Sequence, residues 1–422
     1  MGIYLQAFAL RTPLLGGDPQ EAMGQSAARW AKQRGLSSIF YLYYGDNGDD
    51  VLLSFYPPNG CVRFSISEER VDFGIKTSTA GPGYHLALID LCDHFERELG
   101  LQWRWDAGGD SCGYALSRSH DELYKAFLGQ LRGLCEFMQQ HDHGLPITMN
   151  IDVQLGGDEV GMVSLPLGPM PGSRLIDAAH ADDKTLAELA KRFYPWWSRE
   201  ADADFWLSLL RVMLWTEAPW RRPDTEWESF LCNAIEAAKA EARKAFPALP
   251  GDLEKTLAEL RGPTLDDEPP PQGEIGYRRR KRRFALTGRW QLEMPGYYHE
   301  DVDADGSNVM IWHPAHETIQ ASSVSMNRKD TKDWPGALAG QPEHKANTHV
   351  FRINPEIRLL EDRGVRVAMA ECVTDAGGET QMLFLSVAGL MDEAALRDRI
   401  REVARSALYD SDSQTLEKPA AH

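Results

Sequence analysis

One stretch limits what this chain can fold into more than any other. Residues 263–276 carry Asp266-Asp267-Glu268-Pro269-Pro270-Pro271-Gln272-Gly273, and Arg278-Arg279-Arg280-Lys281-Arg282-Arg283 follows at once. Three consecutive prolines remove backbone donors and stiffen the chain, and an acidic proline-rich run cannot be buried in a core. The stretch therefore reads as a linker over 263–283. The chain's 422 residues are too many for one core, so at least two folded parts are expected, one on either side. With 43% hydrophobic and 26% charged residues, both sides have the composition of folded domains.

Residues 1–170 read as an α+β domain built on an antiparallel sheet. Ile3 to Leu10 is an apolar strand. Asp18-Pro19-Gln20-Glu21 starts a helix: Asp18 is placed to cap, Pro19 suits the first turn, and the helix stops at Gly35. Strand-like runs at 38–44, 51–56, 61–67 and 70–76 are separated by turn sequences and imply a meander. Val62, Phe64 and Ile66 alternate with Arg63, Ser65 and Ser67, the pattern of a strand with one buried face. Helices are predicted over 84–99 and 121–140, a short strand at Trp103 and Trp105, and strands at 147–155 and 160–165.

Residues 171–262 look all-helical, with pieces at 184–193, 203–216, 226–246 and 251–260 separated by Pro195, Pro219, Pro223 and Pro247. They read as an insertion in, or an appendage to, the first domain. Residues 284–409 read as a second α+β unit. Its strands are expected at 290–294, 309–313, 318–325, 365–373 and 381–387, with a closing helix at 393–408. The polar tail 410–422 has no apolar face and is expected to be disordered.

The most chemical-looking segment is Lys76-Thr77-Ser78-Thr79-Ala80-Gly81-Pro82-Gly83-Tyr84-His85, between a strand and a helix. Small residues ahead of a helix can present N–H groups to an anion, so Thr77, Ser78, Thr79, Gly81, Gly83, Tyr84 and His85 are candidate ligand or partner contacts. The glycine spacing is that of neither a P-loop nor a dinucleotide fingerprint, and a tight turn accounts for the same residues. A second candidate is the aromatic region that holds Trp196, Trp197, Trp206, Trp215, Trp220 and Trp227, six of the chain's 12 tryptophans. Trp196, Trp197 and Trp220 are taken from it as candidate contacts, although aromatic residues at helical spacing also serve as core anchors.

Other motifs point away from chemistry. No Cys-x-x-Cys pair occurs among the six cysteines, so no metal ligand is assigned and no cofactor is expected. His141 and His143 flank Asp142 at a helix end, where histidine also suits the helix dipole. Asp301-Val302-Asp303-Ala304-Asp305-Gly306 opens like a calcium loop, but its twelfth position is Trp312, so a polar hairpin is expected. Gly-x-Ser-x-Gly, His-Glu-x-x-His and kinase signatures are absent, so no catalytic residue is assigned.

The net charge of −18 disfavours nucleic acid and anionic lipid and favours a basic partner. The chain opens without a basic, apolar leader and has no long apolar run, so a cytoplasmic location without membrane contact is expected.

Two resemblances add to this reading. Gly288-Arg289-Trp290-Gln291-Leu292-Glu293-Met294-Pro295, Glu317-Thr318-Ile319-Gln320-Ala321-Ser322-Ser323 and the helix 393–408 resemble the DcrB, PsbP and Mog1-like α/β sandwich group. That resemblance implies a non-enzymatic binding or adaptor module, as in chaperones of bacterial secreted effectors, and carries no functional residue across. In type rather than motif, the whole chain resembles bacterial toxin-immunity and effector-adaptor proteins of secretion systems. The expected function is a non-catalytic protein that neutralises or escorts a basic protein partner, such as a toxin or effector. The alternative is an enzyme that acts on an anionic or phosphorylated small molecule at Thr77 to His85.

Overall fold

The structure, a computed structural model, describes all residues except 1, 13–17, 46–48, 106–108, 142–146, 152–154, 156–160, 261–272, 304–305, 314–316, 328–343, 347, 361–363, 377 and 411–422. The linker's acidic proline-rich part, the tail 411–422 and the Asp142–His143 pair lie outside the described residues. The chain is α+β throughout and forms two compact units, one of residues up to 260 with 273–278 and the other from 279 onward.

The first unit is built on a six-stranded sheet. Its strands are β1 (Tyr4–Leu10), β2 (Tyr41–Tyr44), β3 (Asp50–Ser54), β4 (Val62–Ile66), β5 (Arg70–Lys76) and β6 (Gln102–Arg104), in the order β2-β3-β4-β5-β1-β6. The expected meander is β2 to β5. Strand β1 then pairs antiparallel with β5, Tyr4 opposite Lys76 and Leu10 opposite Arg70, and with β6 on its other side. Leu5, Ala7, Ala9, Val51, Leu53, Val62, Phe64, Val71 and Phe73 are buried. This alternation is what a sheet with one covered face requires, and a one-residue slip would turn the set to solvent.

Helices α1 (Pro19–Gln33) and α2 (Pro82–Leu99) pack against each other, and α1 also packs on β3. Asp18 caps α1 by accepting the Glu21 N–H at 3.0 Å, with Pro19 in the first turn, as the sequence implied. Met23, Ala27, Trp30, Leu88, Leu91, Cys92 and Phe95 are buried. The Trp30 ring meets Phe55 edge-on at 5.0 Å.

The short helix α3 (Tyr114–Ser117) and the long α4 (His120–His141) follow. A small sheet of β7 (Ile147–Thr148), β8 (Met162–Ser164) and β9 (Met170–Pro171) comes next. Of the predicted strands 147–155 and 160–165, the described residues form strand at 147–148 and 162–164, and residues 152–154 and 160 lie outside the described residues. Helices α5 (Ser173–Ala178), α6 (Asp183–Phe193), α7 (Ala203–Val212), α8 (Glu226–Ala245) and α9 (Gly251–Leu260) complete the unit. Helix α7 continues as a π-helical turn over Met213–Glu217, so the helical run expected to residue 216 is present with a widened end. The helical segment belongs to the same unit as the sheet. Phe205 packs on Tyr56 at 6.4 Å and Trp227 on Tyr41 at 5.2 Å.

The second unit has two sheets. The smaller joins β10 (Lys281–Ala285), β11 (Trp290–Pro295) and the terminal β20 (Ala407–Tyr409). The larger comprises β12 (His299–Val302), β13 (Asn308–His313), β14 (Glu317–Asn327), β15 (His344–Lys345), β16 (Val350–Ile353), β17 (Arg358–Leu360), β18 (Val365–Ala376) and β19 (Glu379–Gly389). Its spine is the antiparallel set β14-β19-β18. Helix α10 (Glu393–Ser406) lays Leu396, Ile400, Val403 and Ala404 against β18, β19, β16 and β11.

Two sequence motifs resolve into structure here. Of the calcium-like residues, Asp301 and Val302 end β12 and pair with Met310 and Val309 of β13, and residues 304–305 lie outside the described ones; the Trp312 indole N–H donates to Asp301 at 2.7 Å. The basic run enters β10 rather than extending the linker to residue 283. Arg282 stacks on Phe284 with its guanidinium carbon 3.8 Å from the ring centre and pairs with Glu300 at 3.7 Å, while Lys281 pairs with Glu293 at 3.5 Å.

Candidate functional site

The segment Thr77–His85 is an interior joint between β5 and α2. Thr77 donates its N–H to the Ile3 carbonyl at 2.9 Å, and Ala80 and Gly81 donate theirs to the Thr77 carbonyl at 3.1 and 3.0 Å. Gly81 has φ 125, a region L-residues avoid, which turns the chain into Pro82 at the start of α2. The Gly83 N–H donates to the Trp196 carbonyl at 3.0 Å, the Trp196 N–H returns a bond to the Ala80 carbonyl at 2.9 Å, and the His85 N–H reaches the Gly81 carbonyl. The N–H groups of Thr77, Ser78, Ala80, Gly81, Gly83 and His85 are thereby engaged inside the protein.

The side chains follow the backbone. Thr77, Ser78 and His85 are 0% exposed and Tyr84 is buried. Thr79 is half-buried and bonds the Asn59 side chain. Gly81 and Gly83 owe their identity to close approach. A methyl group on Gly81 would lie 2.6 Å from the Trp196 carbonyl oxygen, and one on Gly83 would overlap the Ser198 carbonyl and the Trp196 ring.

The structure brings Trp196 and Trp197 to this joint. Trp196 is 1% exposed, with its ring 4.4 Å from Phe205, 5.8 Å from Tyr56 and 6.2 Å from Tyr84. Truncating a ring packed in this way costs about 3–5 kcal/mol, so Trp196 is an anchor of the core. Trp197 is half-buried and stacks on Tyr194 at 6.0 Å, with the Tyr124 hydroxyl donating to its carbonyl. Trp220 is also 1% exposed and sits in a turn at φ 56.

Behind the joint lies a polar cluster that sequence reasoning missed. Nδ1 of His85 is 3.0 Å from the Thr77 hydroxyl, and Nε2 is 3.4 Å from the Asp110 carboxylate. Asp110 accepts the Cys112 N–H at 2.9 Å and the Ala115 N–H at 2.6 Å. Burial opposes the charge on Asp110, but His85 and those two N–H groups outweigh it and hold the carboxyl below its ordinary range. Burial and the Asp110 charge push the Cys112 thiol up to about 12. The spacing of His85 and Asp110-Ser111-Cys112 gave no signal, because Asp110 is brought to His85 by tertiary pairing with β1, through its bridge to Leu5 and the Ser111 contacts with Tyr4.

A second feature lies at the sheet edge. Strand β2 is terminal in the sheet and carries Tyr41, Tyr43 and Tyr44, the last two 43% and 39% exposed. Half-buried Tyr41 meets half-buried Trp227 at 5.2 Å and Phe230 at 5.0 Å. Burial, and then the Glu226 carboxylate, raise the Tyr41 phenol. On the other face of the strand, burial and then Glu21 and Asp18 raise Tyr44. The edge strand thus carries an aromatic ring beside carboxylates on each face, Tyr41 with Glu226 on one and Tyr44 with Glu21 and Asp18 on the other. The tyrosines were legible in the sequence, but their place at an edge depends on strand order.

Comparison with known proteins adds little. No protein-family model and no curated protein matches the chain. A crystal structure from Bacteroides thetaiotaomicron aligns with 31% of this chain at 13% identity and a TM-score of 0.23, which bears on neither fold nor function. The match spans about half of that chain, 48%. Among the described residues, no helix is long and apolar enough to cross a membrane.

Proposed function

We propose that this protein is a non-catalytic binding protein for a basic protein partner, and that the β2 edge with Trp227 and Phe230 is where the partner docks. The observation that carries this reading is the union of exposed Tyr43 and Tyr44 with the Tyr41–Trp227–Phe230 cluster and the carboxylates of Glu226, Glu21 and Asp18. Tyrosine and tryptophan supply large contact area with little side-chain entropy to lose, and aromatic faces attract lysine and arginine. The net charge of −18 steers a cationic partner toward the protein and makes the encounter salt-sensitive.

The resemblance in type to toxin-immunity and effector-adaptor proteins makes a secreted basic toxin or effector the natural partner. Its neutralisation would work by steric cover. The C-terminal unit's likeness to the DcrB and PsbP-like sandwich group agrees with an adaptor role. The alternative, an enzyme for an anionic substrate at Thr77–His85, calls on N–H groups that the joint already uses internally.

The full chain, tagged and expressed in its native host, provides the test. The reading expects one stoichiometric basic protein to co-purify, to fall away as salt rises, and to be lost from a Tyr43→Ser/Trp227→Ala variant that remains folded. Retention by that variant, or the absence of any stoichiometric partner, would contradict it.

A further inference from the structure

We propose that His85, Asp110 and Cys112 form a binding site for a divalent transition metal of the zinc class. Each offers one ligand atom, and the three atoms lie within 4.8 Å of one another. Tetrahedral zinc with bonds of about 2.0–2.3 Å holds neighbouring ligand atoms about 3.3–3.6 Å apart. The 3.4 Å between His85 Nε2 and the Asp110 oxygen is already that spacing. The sulfur of half-buried Cys112 lies within 4.8 Å of both, and metal binding would draw it closer.

The protonation pattern around His85 gives an independent argument. The Thr77 hydroxyl reaches the Ile3 carbonyl at 3.3 Å, which accepts its proton, and Nδ1 of His85 then donates to the Thr77 oxygen at 3.0 Å. In that tautomer the Nε2 lone pair is aimed at the Asp110 carboxylate 3.4 Å away, and Nε2 is fully buried. A metal ion there would take the place of the proton that otherwise bridges Nε2 and Asp110.

Thr77 acts as the outer partner that fixes the ring, as in other metal-binding histidines. Asp110 is fixed in turn by the Cys112 and Ala115 N–H groups. Nitrogen, carboxylate and thiolate donors together select zinc-like ions over calcium or magnesium. Three protein ligands leave a fourth position for water, and the half-buried Cys112 provides the way in. The metal would clamp the loop that contains Asp110 to the first turn of α2. This site is separate from the β2 edge, so its failure leaves the partner-binding reading untouched.

Cobalt(II) is the probe. The reduced, chelator-stripped full chain is titrated with Co²⁺ and followed by the thiolate-to-cobalt charge-transfer band, with Zn²⁺ as competitor. The expected result is one equivalent bound, the band lost in Cys112→Ser and kept in Cys61→Ser, and zinc affinity at least about tenfold weaker in Cys112→Ser. Alkylation followed by mass spectrometry gives the same answer without a variant. Zinc should slow labelling of Cys112 and leave Cys61 unaffected. The proposal is overturned if no thiolate band saturates at one equivalent, if Cys112→Ser binds like the wild type, or if zinc leaves Cys112 labelling unchanged.

Discussion

Replacing Gly83 with alanine sets helix propensity against packing. Gly83 lies in the first turn of α2, where propensity alone favours alanine by about 1 kcal/mol. The structure predicts the opposite sign. The added methyl would sit 2.5 Å from the Trp196 indole nitrogen, and closer still to the Ser198 carbonyl oxygen. A backbone oxygen cannot swing aside as a flexible side chain does, so the overlap falls at the upper end of overpacking costs, about 3 kcal/mol. Parting the chains also weakens the Gly83 N–H bond to the Trp196 carbonyl, worth about 1 kcal/mol. After the propensity gain, a net loss of about 3 kcal/mol remains. Urea unfolding followed by tryptophan fluorescence measures it, with an expected midpoint drop of about 1 M for a slope near 3 kcal/mol/M. Gly129→Ala in α4, where nothing lies within 4 Å of the new methyl, is the control and should gain about 0.5–1 kcal/mol. A Gly83→Ala midpoint at or above that of the wild type would refute the docking of this joint on the Trp196 segment.

Three further outcomes follow from the second unit and the core. Glu317→Gln should cost about 2–4 kcal/mol by urea unfolding, because the 2%-exposed Glu317 side chain takes bonds from Arg399 at 2.9 Å and from the Tyr298 hydroxyl, and its neutralisation leaves Arg399 with Glu402 as its carboxylate partner. Burial lowers the pKa of His349, whose Nε2 donates to the Ala404 carbonyl, so the unfolded chain takes up the proton first as pH falls. The stability linked to His349 is therefore full above about pH 6.5 and declines below it, a slope that His349→Gln should flatten in thermal melts from pH 7 to 5. Trp196→Ala should lower stability by about 3–5 kcal/mol in the same urea assay, whereas Trp227→Ala, at a half-buried position, should lose less than half as much.

The elements that could be read from the sequence are those with a strong local signal. Asp18-Pro19, the alternation at Val62–Ile66, and the spacing of Leu396, Ile400 and Val403 each correspond to a helix start, a strand and a helix face in the structure. What stayed hidden depends on contacts distant in sequence. Nothing local placed β1 between β5 and β6, and the small strands β15 and β17 are too short to show a period. The Gly-Pro-Gly joint shows the same limit. Glycines that expose backbone to a ligand and glycines that admit a neighbouring chain read alike until the Trp196 segment, more than a hundred residues on, is seen against them. Trp196 and Trp220 likewise carry the same letters whether they fill a core or face a partner.

The central claim is that the β2 edge of the first unit is the docking face. Hydrogen exchange of the full chain, alone and in complex with the basic protein that co-purifies with it, tests this most directly. Protection on binding should concentrate at residues 41–44 and 226–230. Unchanged exchange there, with protection elsewhere such as the exposed Leu359–Leu360 of β17, would contradict it.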